Sequence, residues 1–336
     1  MYAKQLVQML DFMFEQNLPV LIKGAPGIGK SDIVAQACAN KKWKMIVSHP
    51  VVADPTDYKG LPFASKDKSG MDIAHFLPFG ELVELIETKE PLVYFLDDLG
   101  QATPAVQSAV MQLLLARRIN GHKISRHVRF IAATNRRQDK ANVSGILEPV
   151  KSRFASIVEL EVKTDDWVQW AVSNNMPFEL VSFIQFRPEL LNNFNPTRDI
   201  ENSPCPRTVA FVGKMWNAGI PEGMQFEVIK GAAGKEFASE FTAFIKVYMK
   251  LPTVSEILRD PLNARLPENV SGKYAITGAI ADAMNEKTIK PFMMYLERLG
   301  NELVVACLKM AYTKSPEICS TSTFMKWAEK NSDLFI

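Results

Sequence analysis

The chain has 336 residues, 47% of them apolar and 23% charged, and its 39 basic against 37 acidic residues leave a formal charge of +2. This composition excludes intrinsic disorder, collagen-like sequence and a coiled coil, and the length predicts about two domains. The balanced charge excludes nucleic-acid binding by overall field, so any such contact has to be a local patch.

The first strand is predicted at Pro19–Lys23, followed directly by Gly24, Ala25, Pro26, Gly27, Ile28, Gly29, Lys30 and Ser31. These eight residues satisfy GxxxxGK[ST] at every fixed position. A helix is predicted next, over Ser31–Asn40, with Ile33, Ala37 and Cys38 on one face. The residue types are those a phosphate loop requires. Glycines let the backbone curl close to phosphate oxygens without a side chain in the way. Loop amides and the helix N-terminus then point at negative charge. Lys30 reaches the β and γ phosphates, and the Ser31 hydroxyl is a ligand for Mg²⁺.

A second strand is predicted at Lys44–Ser48, and Leu61–Pro78 reads as a hairpin-like insert around Lys66-Asp67-Lys68-Ser69-Gly70. Its Phe63, His75, Phe76 and the neighbouring Phe79 are either packing or substrate-gripping residues. A helix over Gly80–Thr88 leads to the strand Leu92–Leu96, which ends in Asp97-Asp98. A carboxylate at the carboxyl end of a strand beside a phosphate loop is where Mg²⁺ is held, a role assigned to Asp97. The next carboxylate points elsewhere and can orient or deprotonate the attacking water, a role assigned to Asp98. Thr103 caps a helix over Pro104–Arg118, and Asn120-Gly121 is the strongest hairpin signal in the chain. Strands at Arg129–Ala133 and Ser156–Glu161 complete the set. Strands alternating with helices predict an α/β domain whose mainly parallel sheet is covered on both faces.

After Thr164 the strand signal fades. Helices are predicted over Asp165–Ser173, Pro177–Phe186, Pro206–Ala218, Phe237–Lys250, Tyr274–Met284, Phe292–Ala311 and Thr323–Lys330. The expected domains are 1–162, 163–252 and 253–336. Gly231-Ala-Ala-Gly-Lys235 imitates a phosphate loop, but Ile229 stands where the first glycine is needed and Glu236 where Ser or Thr is needed. It is read as helix.

Six segments in this order resemble an AAA+ ATPase of the MoxR-like, dynein-related branch. Besides the phosphate loop and the acidic pair, Phe130-Ile-Ala-Ala-Thr-Asn135 looks like the sensor 1 strand, and Leu147-Glu-Pro-Val-Lys-Ser-Arg153-Phe154 like the arginine-finger segment. Ser203-Pro-Cys-Pro-Arg207 looks like the start of the sensor 2 helix, and Ala53-Asp-Pro-Thr-Asp57-Tyr-Lys-Gly60-Leu-Pro62 like the segment this branch carries before a hairpin insert. The resemblance covers residues 1 to about 250 and implies a P-loop NTPase with a five-stranded parallel sheet and an all-α lid, after which the predicted C-terminal helical block carries no motif of the family. It implies that Asn135 helps place the water, that Arg153 reaches the nucleotide of a neighbouring subunit, and that Arg207 covers the γ-phosphate from the lid. It implies further a hexameric ring, ATP and Mg²⁺ as cofactors, and a protein substrate or a partner with a von Willebrand A domain. The C-terminal pairing looks like phage-encoded members, for which the host cytoplasm is expected. The family usually has Glu where Asp98 stands, and Arg136-Arg137 is unexpected after sensor 1, one of the two offering a second inter-subunit arginine.

Arg117, Arg118, Lys123, Arg126, Arg129, Arg136 and Arg137 form a basic stretch. It faces a neighbour's phosphates, lines a central channel, or is a solvated face. A DNA-associated motor and a non-hydrolysing nucleotide-dependent scaffold are therefore the alternatives to a remodelling ATPase. Cys38, Cys205, Cys307 and Cys319 are far apart, which fits reduced thiols in a cytoplasm and no zinc site. No apolar run approaches the ~18–20 residues of a membrane helix, and Lys4, Asp11 and Glu15 exclude a secretory signal.

Overall fold

The computed structural model describes residues 1–136, 139, 145–195 and 199–331. It divides into two compact units, Met1–Glu161 and Val162–Ile336.

In the first unit, five parallel strands line up in the order β2 (Lys44–Ser48), β5 (Leu92–Leu96), β8 (Val128–Thr134), β1 (Val20–Lys23) and β9 (Ser156–Glu159). β5 is buried along its whole length, as a strand covered on both faces has to be, and that is why it reads as an unbroken apolar run. The helices are α1 (Ala3–Gln16), α2 (Lys30–Lys41), α3 (Pro55–Lys59), α4 (Glu81–Glu87), α5 (Pro104–Ala116) and α6 (Glu148–Lys151). The Thr103 hydroxyl caps α5 by accepting from the Val106 amide. α1 was not expected. Leu6, Leu10, Met13 and Phe14 bury a stripe at helical spacing, but Tyr2 supplies no side-chain cap to announce it.

Both inserts are hairpins. β3 (Leu61–Lys66) pairs antiparallel with β4 (Asp72–Leu77), and β6 (Arg118–Ile119) with β7 (His122–Lys123). Asn120 and Gly121 both have positive φ, 44° and 92°, the backbone a two-residue hairpin turn requires. The packing reading of the larger insert fails for Phe63, His75 and Phe76. All three are exposed, Phe63 by 58%.

The second unit is helical and holds one core that runs from Trp167 to Trp327, so the segments on either side of residue 252 share it. Phe183 is its centre, with the rings of Phe237, Phe241 and Phe244 at 5.2 to 5.5 Å. The single helix expected over Phe292–Ala311 is two, Ile289–Leu296, which closes at Glu297, and Asn301–Lys314, which Gly300 opens as its N-cap residue at φ 114°. The decoy at 231–235 is a helix junction: Gln225–Ala233 stops, Gly234 turns at φ 87°, and Lys235–Tyr248 begins. Among the described residues no helix is long and apolar enough to cross a membrane.

Helix Val270–Ala283 approaches Phe178–Phe186 most closely at Gly278, where an added Cβ would lie 1.7 Å from Ser182 Oγ. Ser182 is fully buried and donates to Phe178 O at 2.7 Å, so it has no room to give. Gly278→Val is expected to cost about 1–3 kcal/mol by overpacking. A lowered melting temperature checks this; an unchanged one contradicts the packing described.

Candidate active site

The loop between β1 and α2 is shaped by its glycines. A Cβ on Gly24 would meet Ile28 Cδ1 at 2.6 Å and Leu160 O at 3.1 Å, and Gly27 and Gly29 have φ of 74° and 90°. The Gly24 amide continues the β8 pairing by donating to Thr134 O at 3.2 Å. Ala25, Gly27 and Ile28 are buried, while Pro26 is half-buried.

Lys30 is 7% exposed, and a buried ammonium demands oxygen partners. It donates to Gly24 O at 3.0 Å, Ala25 O at 2.9 Å and Asn135 Oδ1 at 2.7 Å. Asn135, directly after β8, then donates through Nδ2 to Asp98 Oδ1 at 2.9 Å. Ser31 Oγ donates to Asp97 Oδ2 at 2.6 Å, and Asp97 Oδ1 accepts from the Asp98 amide at 3.1 Å. Asp98 has φ 55°, a left-handed turn that aims the two carboxylates apart, one at Ser31 and one at Asn135. Gly24 to Ser31, Asp97, Asp98 and Asn135 thus come together at the carboxyl ends of β1, β5 and β8, where open parallel sheets bind ligands. Ser31 Oγ and Asp97 Oδ2 are hard oxygen donors on converging side chains, and that donor set fits Mg²⁺ completed by water and phosphate.

The arginines part company. Arg153 precedes β9, and Ala155 donates to Pro19 O at 2.9 Å just before β1 begins. Because β1 and β9 run parallel, Arg153 lies at the amino edge of the sheet, with the four residues of β9 (~13 Å) between it and the edge that carries its own phosphate loop. Its Nη1 donates to Pro149 O, and its Nε is buried without a partner among the described residues. Leu18, Pro19, Leu115, Phe130 and Phe154 line with it a cavity of about 320 Å³. Arg207 is exposed in the first turn of helix Pro206–Asn217, in the second unit.

Arg136 is occupied within its own chain. It forms a bidentate pair with Asp139, both contacts 2.9 Å, and reaches Glu159 at 3.5 Å. Lys23 pairs with Glu159 at 2.8 Å and, with Arg136, holds that carboxyl below its usual range. Arg137 lies outside the described residues. Two further members of the basic stretch are internal struts. Arg117 donates to Ser125 O and Val128 O at 2.8 and 2.9 Å, and Arg129 lies over the Trp43 ring and donates to Phe14 O. Arg118, Lys123 and Arg126 are exposed. Sequence reasoning missed the Lys23–Glu159–Arg136–Asp139 cluster, since its members come from separate segments with no motif spacing.

Residues 20–162 match the family described as ATPase family associated with various cellular activities (AAA). The first unit has an AAA+ P-loop NTPase fold. Comparison with curated proteins gives no match. Among solved structures, the chain is similar to RuvB, the Holliday junction branch migration motor of Thermotoga maritima, at 15% identity over 89% of this chain and 87% of that one, with a TM-score of 0.40. It is similar also to NtrX from Brucella abortus, at 12% identity over 92% and 67% of the two chains, with a TM-score of 0.41. At these scores neither likeness carries a functional argument.

In this AAA+ unit, Asn135 is the bridge between a buried cation and a carboxylate. Asn135→Ala removes one partner from each and is expected to cost about 1–3 kcal/mol of stability. Denaturant unfolding measures it, and a change within a few tenths would show that the bridge contributes nothing.

Proposed function

We propose that this chain is a Mg²⁺-dependent ATPase that binds ATP on the 24–31 loop and hydrolyses it to ADP and phosphate. The observation that carries the reading is the single connected cluster Ser31–Asp97 and Lys30–Asn135–Asp98 at the carboxyl ends of three adjacent strands. The loop amides and the α2 N-terminus receive the phosphate oxygens. Lys30 exchanges the carbonyls of Gly24 and Ala25 for oxygens of the β and γ phosphates. Ser31 and Asp97 would hold Mg²⁺, which when bound neutralises charge on the phosphates. Asp98, oriented by Asn135, accepts the proton of the water that attacks the γ-phosphorus while the bond to the bridging oxygen breaks and ADP leaves.

Arg153 serves a neighbouring subunit in this reading, because its own loop is at the other edge of the sheet. That requires a homo-oligomer, a six-membered ring by resemblance, with Arg207 completing the site from the helical unit. The finer assignment is a MoxR-like remodeller of a protein partner, of the kind that bears a von Willebrand A domain, working in the cytoplasm. The inward use of Arg117 and Arg129 supports a protein partner over DNA, since it leaves fewer cations to form a phosphate-binding patch.

Lys30→Ala is expected to abolish the heat of Mg-ATP binding. Asp98→Asn is expected to leave binding intact and lower phosphate release by about 10²-fold or more. Full turnover by the Asp98 variant would remove the general-base assignment. An inactive Arg153→Ala chain mixed with inactive Lys30→Ala chain should recover activity, since each supplies what the other lacks. No recovery at any ratio would contradict the shared site.

A further inference from the structure

Three polar side chains, Ser48, Tyr58 and Tyr94, are buried to 7% exposure or less on the acidic side of the sheet. They connect to Asp97 at the end of β5. Ser48 lies opposite Leu96 in the β2–β5 pairing, and the Asp97 amide extends that ladder by donating to Ser48 O at 2.9 Å. The Ser48 hydroxyl lies 2.9 Å from the Tyr58 hydroxyl. Tyr58 is in α3, and only Lys59 and Gly60 separate it from the start of the large hairpin at Leu61.

The other end of the hairpin is tied to the same strand. Glu81 opens α4, directly after Gly80, and accepts from the Tyr94 hydroxyl at 2.7 Å. Tyr94 lies in β5, three residues before Asp97. Burial pushes Tyr58 up to about 12 and Tyr94 well above the ordinary phenol range, so both remain O–H groups at neutral pH. The hairpin base is closed tightly: Gly60 has φ 85°, and a Cβ there would stand 2.5 Å from Leu77 O. The smaller hairpin joins at the same place, Asn120 Nδ2 donating to Lys59 O at 2.6 Å.

We infer that Tyr58 is a positioning residue that couples Asp97 to the hairpin Leu61–Leu77 through Ser48, so that ligand binding at the aspartate is felt by the exposed strands. The inference rests on the nucleotide reading above and extends it to a defined route. Asp97 Oδ2 accepts from Ser31 in this structure, and Mg-ATP held by these two oxygens would rearrange that contact and shift the strand end. A displaced Asp97 amide pulls on Ser48 O. A hydroxyl pair buried at low dielectric responds steeply to such a shift. The ladder and the hydroxyl pair are continuous, so the movement arrives at the hairpin base and does not dissipate in solvent.

The test is hydrogen exchange of the 61–77 amides in the full chain, with and without Mg²⁺ and a non-hydrolysable ATP analogue. In the unmodified protein the analogue is expected to change protection of these amides about fivefold or more, the lower end of typical coupling between sites. Tyr58→Phe keeps the buried ring and removes only the hydroxyl. It is expected to bind the analogue with Kd within about threefold and to lose the change in hairpin protection. Tyr94→Phe, which cuts the exit tie, is expected to reduce the change, and Tyr312→Phe in the helical unit to leave it intact. A hairpin in Tyr58→Phe that responds as in the unmodified chain overturns the inference, as does a hairpin that ignores bound analogue in the unmodified chain. Absence of binding by the unmodified chain is a separate outcome, one that removes the nucleotide reading and the coupling with it.

Discussion

A lysine ammonium buried in a protein has to be surrounded by oxygens, and the way Lys30 meets that demand organises the whole first unit. Three of its partners come from two places in the chain. Two are carbonyls of its own loop, and the third is the amide oxygen of Asn135, 105 residues on. For those atoms to converge, β1 and β8 have to be neighbours in register, and the loop has to fold back at Gly27 and Gly29. The arrangement is also exchangeable. Carbonyl oxygens are partners of the same chemical kind as phosphate oxygens, which is what the proposed role of Lys30 requires.

The acidic pair shows how a single backbone angle divides labour. Consecutive residues on a regular strand send side chains to opposite faces. Asp98 is past the strand and in a left-handed turn, so its carboxylate swings to Asn135 while Asp97 stays on Ser31. Asn135 extends to meet the Asp98 carboxylate at 2.9 Å.

Much of the first unit was legible in advance. Lys44–Ser48 and Leu92–Leu96 occur as predicted, and Asn120-Gly121 makes the expected turn, because each depends on local physics: an apolar run bounded by breakers, or two residues that tolerate positive φ. Expectations failed where the decisive contact was remote. α1 has its stripe, but its N-cap position holds Tyr2, whose amide donates to the Gln5 side chain, and not one of the residues that usually announce a helix start. The break between Leu296 and Asn301 competes with flanking helix formers, and only the observed turn, with Gly300 at φ 114°, shows that it prevails. For Phe63 and Phe76 the sequence leaves packing and substrate gripping both open, and only their exposure on the two-stranded sheet of β3 and β4 decides against packing.

By itself the sequence determined the chemistry: a glycine-bearing loop ending in Lys30-Ser31, an apolar strand ending in two aspartates, and a strand ending in Asn135. Those patterns are short-range, and short-range steric and hydrogen-bonding rules are enough to read them. Only tertiary structure decided which charges are spent internally. Arg117, Arg129 and Arg136 look the same in a string as Arg118 or Arg126, but burial beside backbone carbonyls or an acidic pair turns the first three into struts. The tie from Asp97 through Ser48 to Tyr58 was likewise invisible, since parallel pairing joins strands whose sequence separation carries no trace of their register.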